Sequence, residues 1–106
     1  MKNVAETLRG LDVPVSRLSY NGKNPTYITF FLVDDFPALH CDDKEKVSEQ
    51  IIQVDIWSKS NYKELAKEVE KRMLDAGFSK LNYFEQYEKD TKIFHMAMRF
   101  TIQEVK

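Results

Sequence analysis

The side chains most able to do chemistry gather in one short stretch of the sequence. His40 and Cys41 are adjacent, Asp42 and Asp43 follow them, and His95 stands far along the chain. A structural zinc site takes about four ligands at workable spacings, and one cysteine with two histidines gives no recognised arrangement. A surface loop is the simpler reading, and no metal is expected. A nucleophilic pair of Cys41 and His95 meets a different obstacle. Thiolate formation needs a nearby cation or a helix N-terminus, whereas Asp42 and Asp43 add negative charge beside the sulfur. Three glycines in the whole chain leave little for a phosphate-cradling loop. The expectation is therefore a protein with no catalytic residue and no cofactor.

Other residues are better suited to contact than to catalysis. Phe36, Pro37 and Leu39 give the stretch 34–46 more apolar character than a free loop needs, so it either folds back or meets another subunit. Trp57 falls on the wetter side of its strand by alternation. It suits either an aromatic packed at a sheet edge or an anchor in an interface, where tryptophan is favoured. These four are the candidate subunit-interface residues. His95 and Arg99, on the non-core side of a later strand, read as solvated.

The elements that must position them are clearest in residues 50–77. Up to Trp57 the pattern alternates, with Ile52, Val54 and Ile56 on one side and Gln53, Asp55 and Trp57 on the other. Asn61 then reads as an N-cap, with Glu64 completing a capping box. A helix is expected to about Ala76, with Tyr62, Leu65, Ala66, Val69, Met73 and Ala76 on its inner face. Gly77 ends it, because glycine takes the left-handed conformation without steric cost.

The flanks follow from the same rules. Residues 1–11 read as an amphipathic helix with Val4, Leu8 and Leu11 inward, and 13–18 as a short extended piece holding Pro14. Asn21-Gly22 is a hairpin signal. Residues 26–33 form a strand whose two faces are both apolar enough for a central, doubly covered position. Residues 34–46 show no period and read as a long loop between neighbouring antiparallel strands. Residues 78–87 are extended, 88–91 turn, and 92–105 form a strand with Phe94, Met96, Met98, Phe100 and Ile102 on one side. The fold class is α+β: a mainly antiparallel sheet of four to five strands with two helices on one face, in the order α-β-β-β-α-β-β.

Composition sets bounds on function. The 106 residues, 42% hydrophobic, suit a single domain spanning 1–106. Sixteen basic and seventeen acidic residues give a net charge of −1 with no basic block, which argues against nucleic acid as a direct partner. One cysteine and no apolar leader or spanning segment point to a reducing cytoplasm and no membrane partner.

Several pieces in succession resemble a known family. They are Val13-Pro14-Val15 after a short helix, Ile51-Ile52-Gln53-Val54-Asp55-Ile56-Trp57-Ser58, the helix end Ala76-Gly77-Phe78, and the run from Tyr87 through His95 to Arg99-Phe100. In order and spacing, from about Val13 to Ile102, the chain resembles the tail-completion, or tail-terminator, proteins of long-tailed bacteriophages and prophages. The resemblance implies a virion structural protein that assembles in the host cytoplasm, caps the tail tube and joins tail to head, generally as a six-fold ring. Its implied partners are further copies of itself, the tail-tube protein and the head–tail connector. It implies no active site. The alternatives are a head-closure protein of the connector and, from another class, a cytoplasmic module binding a small ligand on an open sheet face. On the ring reading, replacing both Phe36 and Leu39 with Asp impairs ring formation and leaves the monomer folded. Sizing of assembled particles together with circular dichroism of the free subunit checks this.

Overall fold

A computed structural model describes residues 3–37 and 47–105. The elements follow in the order α1 (Val4–Thr7), β1 (Val15–Arg17), β2 (Thr26–Pro37), β3 (Val47–Ser58), α2 (Lys63–Asp75), β4 (Ser79–Glu88) and β5 (Ile93–Val105). The fold is α+β, with one five-stranded sheet in the spatial order β1-β2-β3-β5-β4. Every pairing is antiparallel except that of β1 with β2.

Two-residue alternation on β3 and β5 decides where the core lies. Ile52, Val54 and Ile56 on β3 stand beside Phe100, Met98 and Met96 of β5, and all face the helices. Val4 and Leu8 from the first segment and Val69 and Met73 from α2 close over them, each 2% exposed or less. At ~25 cal/mol per Å² of apolar surface removed from water, this layer is the main favourable contribution to the fold.

The end of α2 is fixed by backbone chemistry. Gly77 has φ +102°, its N–H donates to the Leu74 carbonyl (3.0 Å), and the Phe78 N–H donates to Met73 (3.1 Å). This is the Schellman arrangement, completed by the buried side chains of Phe78 and Met73. The start of α2 differs from the sequence expectation. Tyr62 occupies the N-cap, and the Asn61 Oδ1 accepts from the Lys63 N–H at 3.0 Å. Tyr62 is drawn inward, 6% exposed, with its ring 5.8 Å from that of Phe94, so packing moves the helix start past Asn61.

Other boundaries are corrected as well. The first helix is a single turn, capped by the Asn3 side chain and followed by Gly10 at φ +89° and Asp12 at φ +60°, although Val4 and Leu8 face inward as expected. Arg72 of α2 donates to the Arg9 carbonyl and holds this segment down. The Asn21-Gly22 pair does not make a hairpin, since β1 and β2 run parallel. Leu18 at φ +69° turns the chain away from β1, and Tyr20 folds back so that its hydroxyl accepts from the Asn24 N–H at 3.1 Å. A Cβ on Gly22 would lie 2.1 Å from that hydroxyl, so the glycine makes room for the ring. Residues 34–37 continue β2 and pair with residues 48–51 of β3 across a bulge between Leu32 and Asp34. Residues 38–46, the remainder of the expected loop, lie outside the described residues. The centre of the sheet is β3, and β2 stands one place out.

Met73→Ala should destabilise the protein by about 2–5 kcal/mol through the cavity it leaves. Gly77→Ala should do so by about 1 kcal/mol, because alanine is strained at positive φ. Urea unfolding followed by circular dichroism reads both.

Candidate functional site

The face of the sheet turned away from the helices carries a polar and aromatic network that spans three strands. Antiparallel register places Asp55 of β3 beside Ala97 of β5, Gln53 beside Arg99 and Trp57 beside His95. The Asp55 Oδ1 lies 2.7 Å from the His95 Nε2 and accepts from the Gln53 Nε2 at 2.8 Å. Arg99 Nε in turn donates to the Gln53 Oε1 at 3.0 Å. Farther along the same face, the Thr101 hydroxyl donates to Glu49. Although no helix among the described residues covers this side, Asp55 is only 4% exposed. Its neighbours screen it, and a carboxylate so removed from water requires the donors it has.

The aromatic part continues the row. The Trp57 indole stacks on the His95 imidazole with centroids 3.8 Å apart and an interplanar angle of 7°. Its Nε1 donates to the Thr29 hydroxyl of β2 at 3.0 Å. Tyr27 lies against the other side of Trp57, Tyr20 packs on Tyr27, and Phe84 of β4 meets His95 edge-on.

His95 and Arg99 are thus bound into the network, which corrects their reading as solvated. The reason is register, since each faces an acceptor on β3 that only strand pairing identifies. Trp57 is half-buried in the stack, whereas Phe36 stands opposite Glu49, eight residues back along β3 and roughly 26 Å away at ~3.3 Å per residue. The two therefore do not form one patch. Pro37 ends β2 in an exposed position; Leu39 lies outside the described residues, as do His40, Cys41, Asp42 and Asp43. Among the described residues, no group of three His, Cys, Asp or Glu is placed to hold a metal ion. The hydrogen bond of His95 goes to a carboxylate and its ring face to an indole. The Asp55–His95 contact here joins strands, with no hydroxyl or thiol bonded to the imidazole among the described residues.

A second surface escaped attention in the sequence. All ten residues of β4 are exposed, including Leu81 (51%), Tyr83 (57%), Phe84 (42%) and Tyr87 (49%). The imperfect alternation of residues 78–87 was its signal: aromatic residues at both parities put apolar side chains on both faces of what proves to be an edge strand. Beyond Phe30, at the opposite margin of the sheet, no described strand pairs with the outer side of β2. A groove of about 500 Å³ opens there, lined by Val4, Val15, Phe30, Leu32, Ile52 and Arg17 among others.

These features define an α+β domain with two unlike sheet margins that no described strand pairs, and one face tied by side chains. No protein-family model and no curated protein matches the chain. Among solved structures it is similar to a chain of the virion of a native gene transfer agent particle, with a TM-score of 0.70 and 14% sequence identity. The match covers 97% of this chain and 92% of that chain. At this identity the likeness is one of fold.

Asp55→Ala removes the acceptor of two donors and should destabilise the protein by about 2–4 kcal/mol. His95→Gln, which can still donate to Asp55, should lose less. Thermal unfolding of the two variants and the parent ranks them.

Proposed function

We propose that this chain is a structural subunit of a phage-like virion, acting at the end of the tail tube as a ring-forming tail-completion protein that joins tail to head. The observation that carries this reading is the shared fold: nearly the whole chain aligns with nearly the whole of a chain from a gene transfer agent virion. The sequence resemblance to tail terminators points the same way and is independent of the coordinates.

The physical character of the surface supports the reading. A subunit that works by joining neighbours needs stable faces and free edges more than a reactive centre. The network ties β3 to β5 by side chains on the face turned away from the helices, and the exposed aromatics of β4 provide surface for a partner. Head-to-tail contact between two unlike surfaces, repeated by rotation, closes a ring. The ring then offers one annular face to the last tail-tube layer and the other to the head connector.

Deletion of the gene from the parent phage or prophage, followed by electron microscopy of induced particles, tests the role. Filled heads beside unattached tails, some of abnormal length, are the expected result. Leaking heads beside normal tails would transfer the chain to head closure, and normal infectious particles would overturn a virion role altogether.

A further inference from the structure

Resting on the ring reading above, we infer that neighbouring subunits join by strand addition. The edge strand β4 of one copy lies along the outer side of β2 of the next, in the slot that begins where β1 stops, and its aromatics enter the groove beneath.

Three observations meet in this inference. The first is the shape of the β2 margin. β1 pairs only with Ile28, Thr29 and Phe30, and after Arg17 the chain turns away, with the Leu18 N–H making a last bond to the Phe30 carbonyl at 2.9 Å. The sheet is therefore one strand narrower beyond Phe30 than beside β1. Below the step, on the helix side, the groove of about 500 Å³ is walled mainly by apolar side chains.

The second is what β4 presents. Its pairing with β5 puts Tyr83 beside Met98, Glu85 beside Met96 and Tyr87 beside Phe94. Met98, Met96 and Phe94 belong to the core or pack on it, so these three β4 residues lie on the helix side. A strand laid in the slot with its helix side matching the neighbour's turns a tyrosine–glutamate–tyrosine row toward the groove. Among the described residues nothing pairs with the outer edge of this ten-residue strand, an arrangement that isolated proteins ordinarily blunt or cover.

The third is charge. Lys80 is already engaged, 2.6 Å from Glu70 and over the ring of Tyr83 at 4.2 Å. Glu88 accepts from the Thr91 hydroxyl. Glu85 has no ion pair among the described residues, and neither does Arg17 at the mouth of the groove. These opposite charges sit at opposite margins of the sheet and on the same side of it. A second copy of this chain brings them together, whereas pairing β4 with another β4 offers Glu85 only a lysine that is already taken. The occupant of the groove is accordingly the next subunit, and the contact is head-to-tail.

Cysteine cross-linking in assembled particles tests the inference. The deletion strain is complemented with Arg17→Cys, Glu85→Cys or both, each on a Cys41→Ser background, and purified particles are treated with short and long bismaleimides. The expected result is a ladder of multimers from the double variant and only monomer from either single variant. Dimers from Glu85→Cys alone would overturn the inference in favour of β4-to-β4 pairing. An absence of cross-links in particles that contain the chain would overturn it outright. Particles that lack the native chain altogether would instead remove the virion reading on which it stands. A charge exchange avoids dependence on cysteine: Arg17→Glu and Glu85→Arg should each lower the yield of infectious particles, and the double variant should recover it. A double variant no better than the singles would count against the contact.

Discussion

A strand hydrogen-bonded along both edges has only its two faces left to build on, and β3 is in that position for nearly its full length. Its helix side carries Ile52, Val54 and Ile56, and its other side Gln53, Asp55 and Trp57. A slip of one residue would exchange the sets and drive the Asp55 carboxylate into an apolar layer with no donors. The cost of that misplacement fixes the register of β3, and with it the side on which the helices must pack. Core and polar network are two results of one constraint.

The network also answers a difficulty specific to a sheet face that no described helix covers. Helix-free faces are usually held only by backbone ladders and short-range side-chain pairs. Here the sequence Arg99, Gln53, Asp55, His95 joins β5 to β3 by side chains, and the Trp57–Thr29 bond joins β3 to β2. Three strands are tied above the plane of the sheet as well as within it. Cross-strand pairs of this kind stabilise only by increments, roughly 0.2–1 kcal/mol each, but their sum stands where a second layer would otherwise have to be.

What could be read in the sequence was what chain periodicity alone determines. The inward faces of β3, α2 and β5 were legible because their hydrophobic residues recur at two or at about 3.6 positions, and Gly77 because the stop of α2 depends on local backbone geometry. Partners set by the register between distant strands were not legible. Nothing near His95 in sequence announces Asp55, forty positions away. The Asn21-Gly22 pair misled because the glycine makes room for the Tyr20 ring, which folds back over the loop instead of forming a hairpin turn. Residues 34–37 lacked alternation because a bulge resets which side each residue faces. The aromatic side chains of β4 were visible, but their exposure depends on β4 lying last in the sheet, which is a fact of topology.

The stack on the uncovered face has an optical consequence. The chain contains one tryptophan, and it is the residue pressed against His95 with its indole N–H bonded to Thr29. Indole emission, excited at wavelengths that the five tyrosines do not absorb, therefore originates at a single place where β2, β3 and β5 meet. A ring stacked at this distance is part of the indole's immediate surroundings, so its emission responds to the spacing of these two rings. Loosening of α2 on the opposite side would touch those surroundings little, whereas a small shear between the central strands would change them directly.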